Sequence, residues 1–216
     1  MDAVVAEVKA KGFETQPHAI TVLHVLDLER DVEQFLTNAN DVLRDAAGLF
    51  KIFFDKEFNG PRYDDIIKWC GKRFGQDHHL AQLIKADQEE WIRELIYKRN
   101  AAEHPDGRSG HLHVHNFEFD EATRNFYVPS WKRNDQPRTG IAHDMTTYVE
   151  NMLTFCEDLL VVSMKTVGIM PAVDFAIIPE TGRTKERPHR VRVVLAVPAP
   201  VLPQSKLQTA ASTKPI

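Results

Sequence analysis

The chain has 216 residues, 43% hydrophobic and 27% charged, enough to bury a core in one domain with additions. A net charge of −4 at pH 7 excludes bulk attraction to nucleic acid or to an anionic membrane, so any such contact must rest on a local patch. No signal-peptide pattern or run of roughly 20 apolar residues is present, and the two cysteines, Cys70 and Cys156, read as buried thiols of a cytoplasmic protein rather than as a disulfide framework.

Residues 2–11 predict a short helix stopped by Gly12. A much stronger signal spans about 24–54, where Val25, Leu28, Val32, Phe35, Ala39, Val42, Ala46, Leu49 and Phe53 recur at alternating steps of three and four, the pattern of a bundle seam. Its start is ambiguous, because "ITVLHV" is β-branched enough for a strand. A turn at Asn59 and Gly60, Pro61 near the first helical position, acidic Asp64 and Asp65, and Gly75 as a stop predict a second, short helix. Asp77 is placed to cap a third, whose apolar face of Leu80, Leu83, Ile84, Trp91, Ile92, Leu95 and Ile96 continues to about Glu103. The fourth helix runs from about Ile141 to Thr166.

Between the third and fourth helices, "HLHVHNFEFD" and "NFYVPSW" read as two strands of an inserted hairpin joined through "EATR". After Gly168, "VDFAII" and "VRVVLAV" predict a second hairpin around a charged connection. The expected fold is mainly α: an antiparallel four- to five-helix bundle over 1–167 with a β-hairpin insertion at about 105–140. A C-terminal β-hairpin over 168–197 packs on the bundle, and 198–216 is a flexible or docked tail.

The chemistry concentrates in "YKRNAAEHPDG", residues 97–107. Arg followed five places later by His is a loose pattern that recurs, for example at Arg73 with His78 and at Arg138 with His143. The Arg99 and His104 copy differs in context, since polar Asn100 follows the Arg and the pair ends a long amphipathic helix. Pro105 disfavours helical geometry at the residue before it, which places His104 at a helix C-terminus, where the dipole favours cations. Asn100 and His104 are four apart and share a face, so Asn100 is placed to orient the imidazole, whereas Arg99 and His104 lie about 140° apart. Arg99 offers a permanently charged planar fork for phosphate oxygens, and His104 offers proton exchange near neutral pH. Together they supply, without a metal, positive charge for a phosphate and a group that exchanges protons.

A helical bundle carrying "RNAAEH" resembles the HEPN superfamily over roughly residues 20–167. The resemblance implies a metal-independent, cofactor-free endoribonuclease of a toxin or antiviral-defence kind, or a non-catalytic relative that binds a protein partner such as a cognate antitoxin or a defence-complex protein. It also implies a homodimer in which two motifs meet across a two-fold axis. In this reading Arg99, Asn100 and His104 are catalytic, and Lys98 and Glu103 contact RNA. The alternative is a solvated helix end whose cations complement the dipole.

Two other clusters stand out. His111, His113 and His115 alternate along a strand as zinc ligands can, but no fourth ligand is identifiable, and the apolar face switches near His115 and Asn116, so no metal is expected. Arg183, Lys185, Arg187, Arg190 and Arg192 form a basic run that reads as a soluble loop or as a phosphate-steering patch.

Overall fold

The computed structural model describes residues 23–60, 62–105, 107–120, 122–168 and 173–195; the helix expected at 2–11, Pro61 and the tail from 198 lie outside them. Helix α1 spans Leu28–Phe54 and α2 spans Tyr63–Phe74. Helix α3 (His79–Asp87), a π-turn (Gln88–Ile92) and α4 (Arg93–Glu103) follow one another without a break, and α5 spans Ile141–Val167. The widened π-turn brings consecutive residues Trp91 and Ile92 into the core. His78 rather than Asp77 caps α3, its Nδ1 accepting from the Leu80 N–H at 3.2 Å.

Helix α1 packs against α4 and α5, and α3 packs against α2 and α5. The buried α1 seam is Val32, Leu36, Ala39, Leu43, Ala46 and Phe50, so it shares Val32, Ala39 and Ala46 with the expected stripe and adds Leu36, Leu43 and Phe50, while Phe35 and Leu49 of that stripe pack partly buried against the core and Val42 is exposed. Each alternative is an adjacent apolar pair, and periodicity cannot choose between neighbours when both are apolar. At the C-terminal end of α1, Phe50, Phe54, Phe58, Trp69 and Phe74 form an aromatic cluster with ring centroids 5.4 to 6.0 Å apart.

The expected mainly α bundle with two hairpin additions is not what the chain forms: the fold is mixed α/β, with high helix content and, among the described residues, three small antiparallel sheets. The 105–140 insertion divides into two ladders. Strand β1 (Leu112–His115) pairs with β4 (Ser130–Arg133), and β4 with β5 (Thr139–Gly140), while β2 (Glu118–Asp120) pairs with β3 (Asn125–Tyr127). Regular pairing breaks at Asn116, whose side-chain amide is diverted to the Val25 backbone, accepting from its N–H at 2.9 Å and donating to its carbonyl at 2.8 Å. It breaks again at Val128 and Pro129, where a proline has no N–H for a ladder.

The three-stranded sheet is a wall of the core, since Leu112 is buried and Trp131 is fully buried among helix side chains. The second hairpin forms as expected, β6 (Val173–Ile177) pairing with β7 (Val191–Leu195). It is tied to α5 by Arg190, which bonds Glu157 and Asp158, and by Lys165, which pairs with Asp174 at 3.3 Å. Gly168 ends α5 with φ 65°, a left-handed conformation that costs glycine little.

If the sheet belongs to the core, Trp131→Ala should cost about 3–5 kcal/mol of unfolding free energy, the range for removing a large buried ring. Urea denaturation measures this, and a loss under about 1 kcal/mol would mark the sheet as a mere appendage.

Candidate functional site

Helix α4 stops at Glu103 because Pro105 forces its predecessor off helical geometry, and His104 sits at φ −134° and ψ 74°. Its N–H still donates to the Asn100 carbonyl at 2.9 Å, so the residue is fixed by its backbone while its side chain projects into solvent, 69% exposed. The Gly107 N–H in turn donates to the His104 carbonyl at 2.8 Å and closes the turn.

Arg99 lies back along the same helix. Its Nη1 donates to Asn100 Oδ1 at 3.1 Å and pairs with Glu103 Oε2, and its Nε is buried without a partner among the described residues. His104 Nε2 lies 3.4 Å from that same Glu103 Oε2. The two candidate catalytic side chains are thus joined through one carboxylate oxygen, which answers their angular separation on the helix. The expected role of Asn100 as orienter of His104 is not met: its side chain serves Arg99, and only its main-chain carbonyl holds His104.

Lys98, expected to contact RNA, points the other way and is buried. Its Nζ donates to Asp144 Oδ2 at 3.0 Å and to Tyr148 Oη at 3.3 Å, and stands 4.5 Å from the centre of the Trp131 ring. Asp144 Oδ2 also accepts from Trp131 Nε1 at 2.6 Å and Thr139 Oγ1 at 2.5 Å. This carboxylate therefore ties α4, β4 and β5 to the first turn of α5. Burial disfavours its charge, but the bonds from Thr139, Trp131 and Lys98 outweigh that and hold its pKa below the ordinary carboxylate value. Sequence offered one signal for Asp144, an acidic residue in a first helical turn; its partner Lys98, 46 residues away, had none.

Beside the end of α4 a cavity of about 290 Å³ opens between α1 and β1, lined by Glu29, Glu33, Ala101, Pro105 and the β1 histidines. His111 and His113 rings lie 4.5 Å apart, whereas His115 Nδ1 turns to Glu118 at 3.0 Å, and Arg138 bonds that carboxylate from the other side at 2.6 Å. Among the described residues no group of three or more His, Cys, Asp or Glu is arranged to hold a metal ion. In the basic run, Arg183 donates to the Ile178 carbonyl and Arg190 is consumed by Glu157 and Asp158, leaving Lys185, Arg187 and Arg192 exposed. Both cysteines are free thiols, and burial pushes Cys70 up to about 12.

No protein-family model, curated protein or solved structure matches the chain. No helix among the described residues is long and apolar enough to cross a membrane.

Lys98→Ala should cost about 3 kcal/mol, because it leaves the mostly buried Asp144 carboxylate without its cation. For Asp144 the folded pKa is the lower one, so its stabilisation is complete above the ordinary value near 4 and is lost as pH falls through the folded value. The gap in unfolding free energy between wild type and Asp144→Asn should accordingly be widest at neutral pH and shrink on acidification; a gap independent of pH would contradict this assignment.

Proposed function

We propose that this chain is a metal-independent endoribonuclease of the HEPN kind, acting as a cytoplasmic homodimer that cleaves RNA by attack of the substrate's own 2′-hydroxyl. The observation that supports it best is the sharing of one Glu103 oxygen by Arg99 and His104 at an exposed helix end. A substrate phosphate competes with Glu103 for Arg99, whose fork then holds two phosphate oxygens as negative charge builds in the transition state. His104 exchanges the proton, and Glu103, displaced from Arg99, remains the carboxylate nearest the imidazole. Asn100 keeps the Arg99 guanidinium against the helix.

One His104 per chain supplies one proton-transfer group, and the second comes from a second copy. An apolar stripe on α5 supports such pairing: Val149, Leu153 and Leu160 are 51%, 37% and 40% exposed, at bundle-seam spacing. The non-catalytic alternative, a module that binds a partner such as a cognate antitoxin, draws on the β6–β7 ribbon. There Val173, Phe175 and Ile177 face Leu195, Val193 and Val191, an apolar side on which Ile177 and Leu195 remain about three-quarters exposed.

In chelator-containing buffer, Arg99→Ala and His104→Ala should each slow RNA cleavage by roughly 100-fold or more. Cleavage unchanged in both would sink the nuclease, and wild-type protein that cuts nothing but co-purifies with a defined partner would favour the module. Leu153→Glu should convert a dimer to a monomer by light scattering and lower activity in parallel; a monomeric wild type would remove the dimer.

A further inference from the structure

At the opposite end of α1 from His104, the connection into α2 folds over the aromatic cluster and leaves a cavity of about 380 Å³. Four cations line it, Lys56, Arg62, Lys68 and Lys72, against two carboxylates, Glu57 and Asp65. Their convergence is a product of helix geometry. At 100° per residue, positions 62, 65, 68, 69 and 72 fall within about 120° of the α2 circumference, and the turn after α1 brings Lys56 and Phe58 to that face.

The cations are largely unspent. Lys68 pairs only loosely with Asp65, at 3.7 Å, and Arg62 and Lys72 make no ion pair among the described residues. Lys56 Nζ sits 5.3 Å from the centre of the Phe58 ring. Trp69, half-buried, lines the same cavity and meets Phe50, Phe54, Phe58 and Phe74 in edge-on or tilted contacts. A chain of net charge −4 has gathered positive charge beside flat aromatic surface in one concave place.

We propose that this cavity is a docking site for single-stranded nucleic acid, with Arg62, Lys68 and Lys72 tracking phosphates and Trp69 receiving a base. Cations alone would serve any polyanion; aromatic rings among them favour an unpaired strand, whose bases are free to stack. Helix α1, 27 residues and about 40 Å long, separates this site from the Arg99 and His104 end, so it is a second contact and not part of the cleavage machinery.

The test is fluorescence anisotropy with labelled single-stranded RNA of about 16 nucleotides, using full-length protein. Changing Lys56, Arg62, Lys68 and Lys72 together to Gln should weaken binding at least tenfold with the urea midpoint retained, and should flatten the salt dependence, each lost phosphate contact contributing a slope of about 0.7. RNA should quench tryptophan emission in wild type and not in Trp69→Phe, because Trp91 and Trp131 are buried. Undiminished binding by the Gln variant, absence of quenching, or equal affinity for duplex RNA would each overturn the proposal. Binding that persists in a protein that cuts no RNA supports this site while sinking the nuclease, and cleavage beside undiminished binding by the Gln variant does the reverse.

Discussion

The Asp144 carboxylate is the point on which the site end of the molecule depends. One oxygen receives Lys98 from α4, Trp131 from β4 and Thr139 from β5, while its own backbone begins α5. A buried lysine beside an indole ring would be costly without that charge, and the carboxylate would be costly without three donors. The arrangement stands because each group removes the other's desolvation penalty. It also sets where α4 ends relative to the sheet, and so where His104 emerges.

From that anchor the candidate site follows by helix geometry. Lys98 faces inward, so Arg99 and the side chains at 100, 103 and 104 are turned toward the surface and the helix edge. Pro105 then frees His104 from the helix while the Asn100 carbonyl still holds its backbone. The His104 backbone is thus fixed while its side chain stays exposed. Arg99 in turn is paired with Glu103 on the same helix.

The insertion illustrates how a few local choices change a fold class. Had "HLHVHNFEFD" stayed one strand, the result would have been a bundle carrying a hairpin. Instead Asn116 turns its amide to Val25, the first ladder ends at His115, and Trp131 enters the core opposite Val114. A sheet that buries a tryptophan among helices is a structural wall, which is why mixed α/β describes the chain and a helical bundle does not.

Sequence alone carried the extents of the main helices, because apolar periodicity over many turns, a proline, and glycines at helix ends report local geometry directly. It also carried the end of α4 at His104 and the second hairpin, both governed by neighbours in the chain. Tertiary structure decided the rest: which member of each adjacent apolar pair on α1 is buried, that Lys98 faces Asp144 and not substrate, and that Glu103 and not Asn100 joins Arg99 to His104. It also gathered Lys56, Arg62, Lys68 and Lys72, spread thinly through the sequence, into one cavity while spending two members of the denser 183–192 run on backbone and ion-pair contacts. Most of those outcomes depend on groups distant in the chain meeting in space, as Lys98 and Asp144 do across 46 residues, and no local pattern encodes such meetings; the Arg99–Glu103 pair, four apart on one helix, is the local exception.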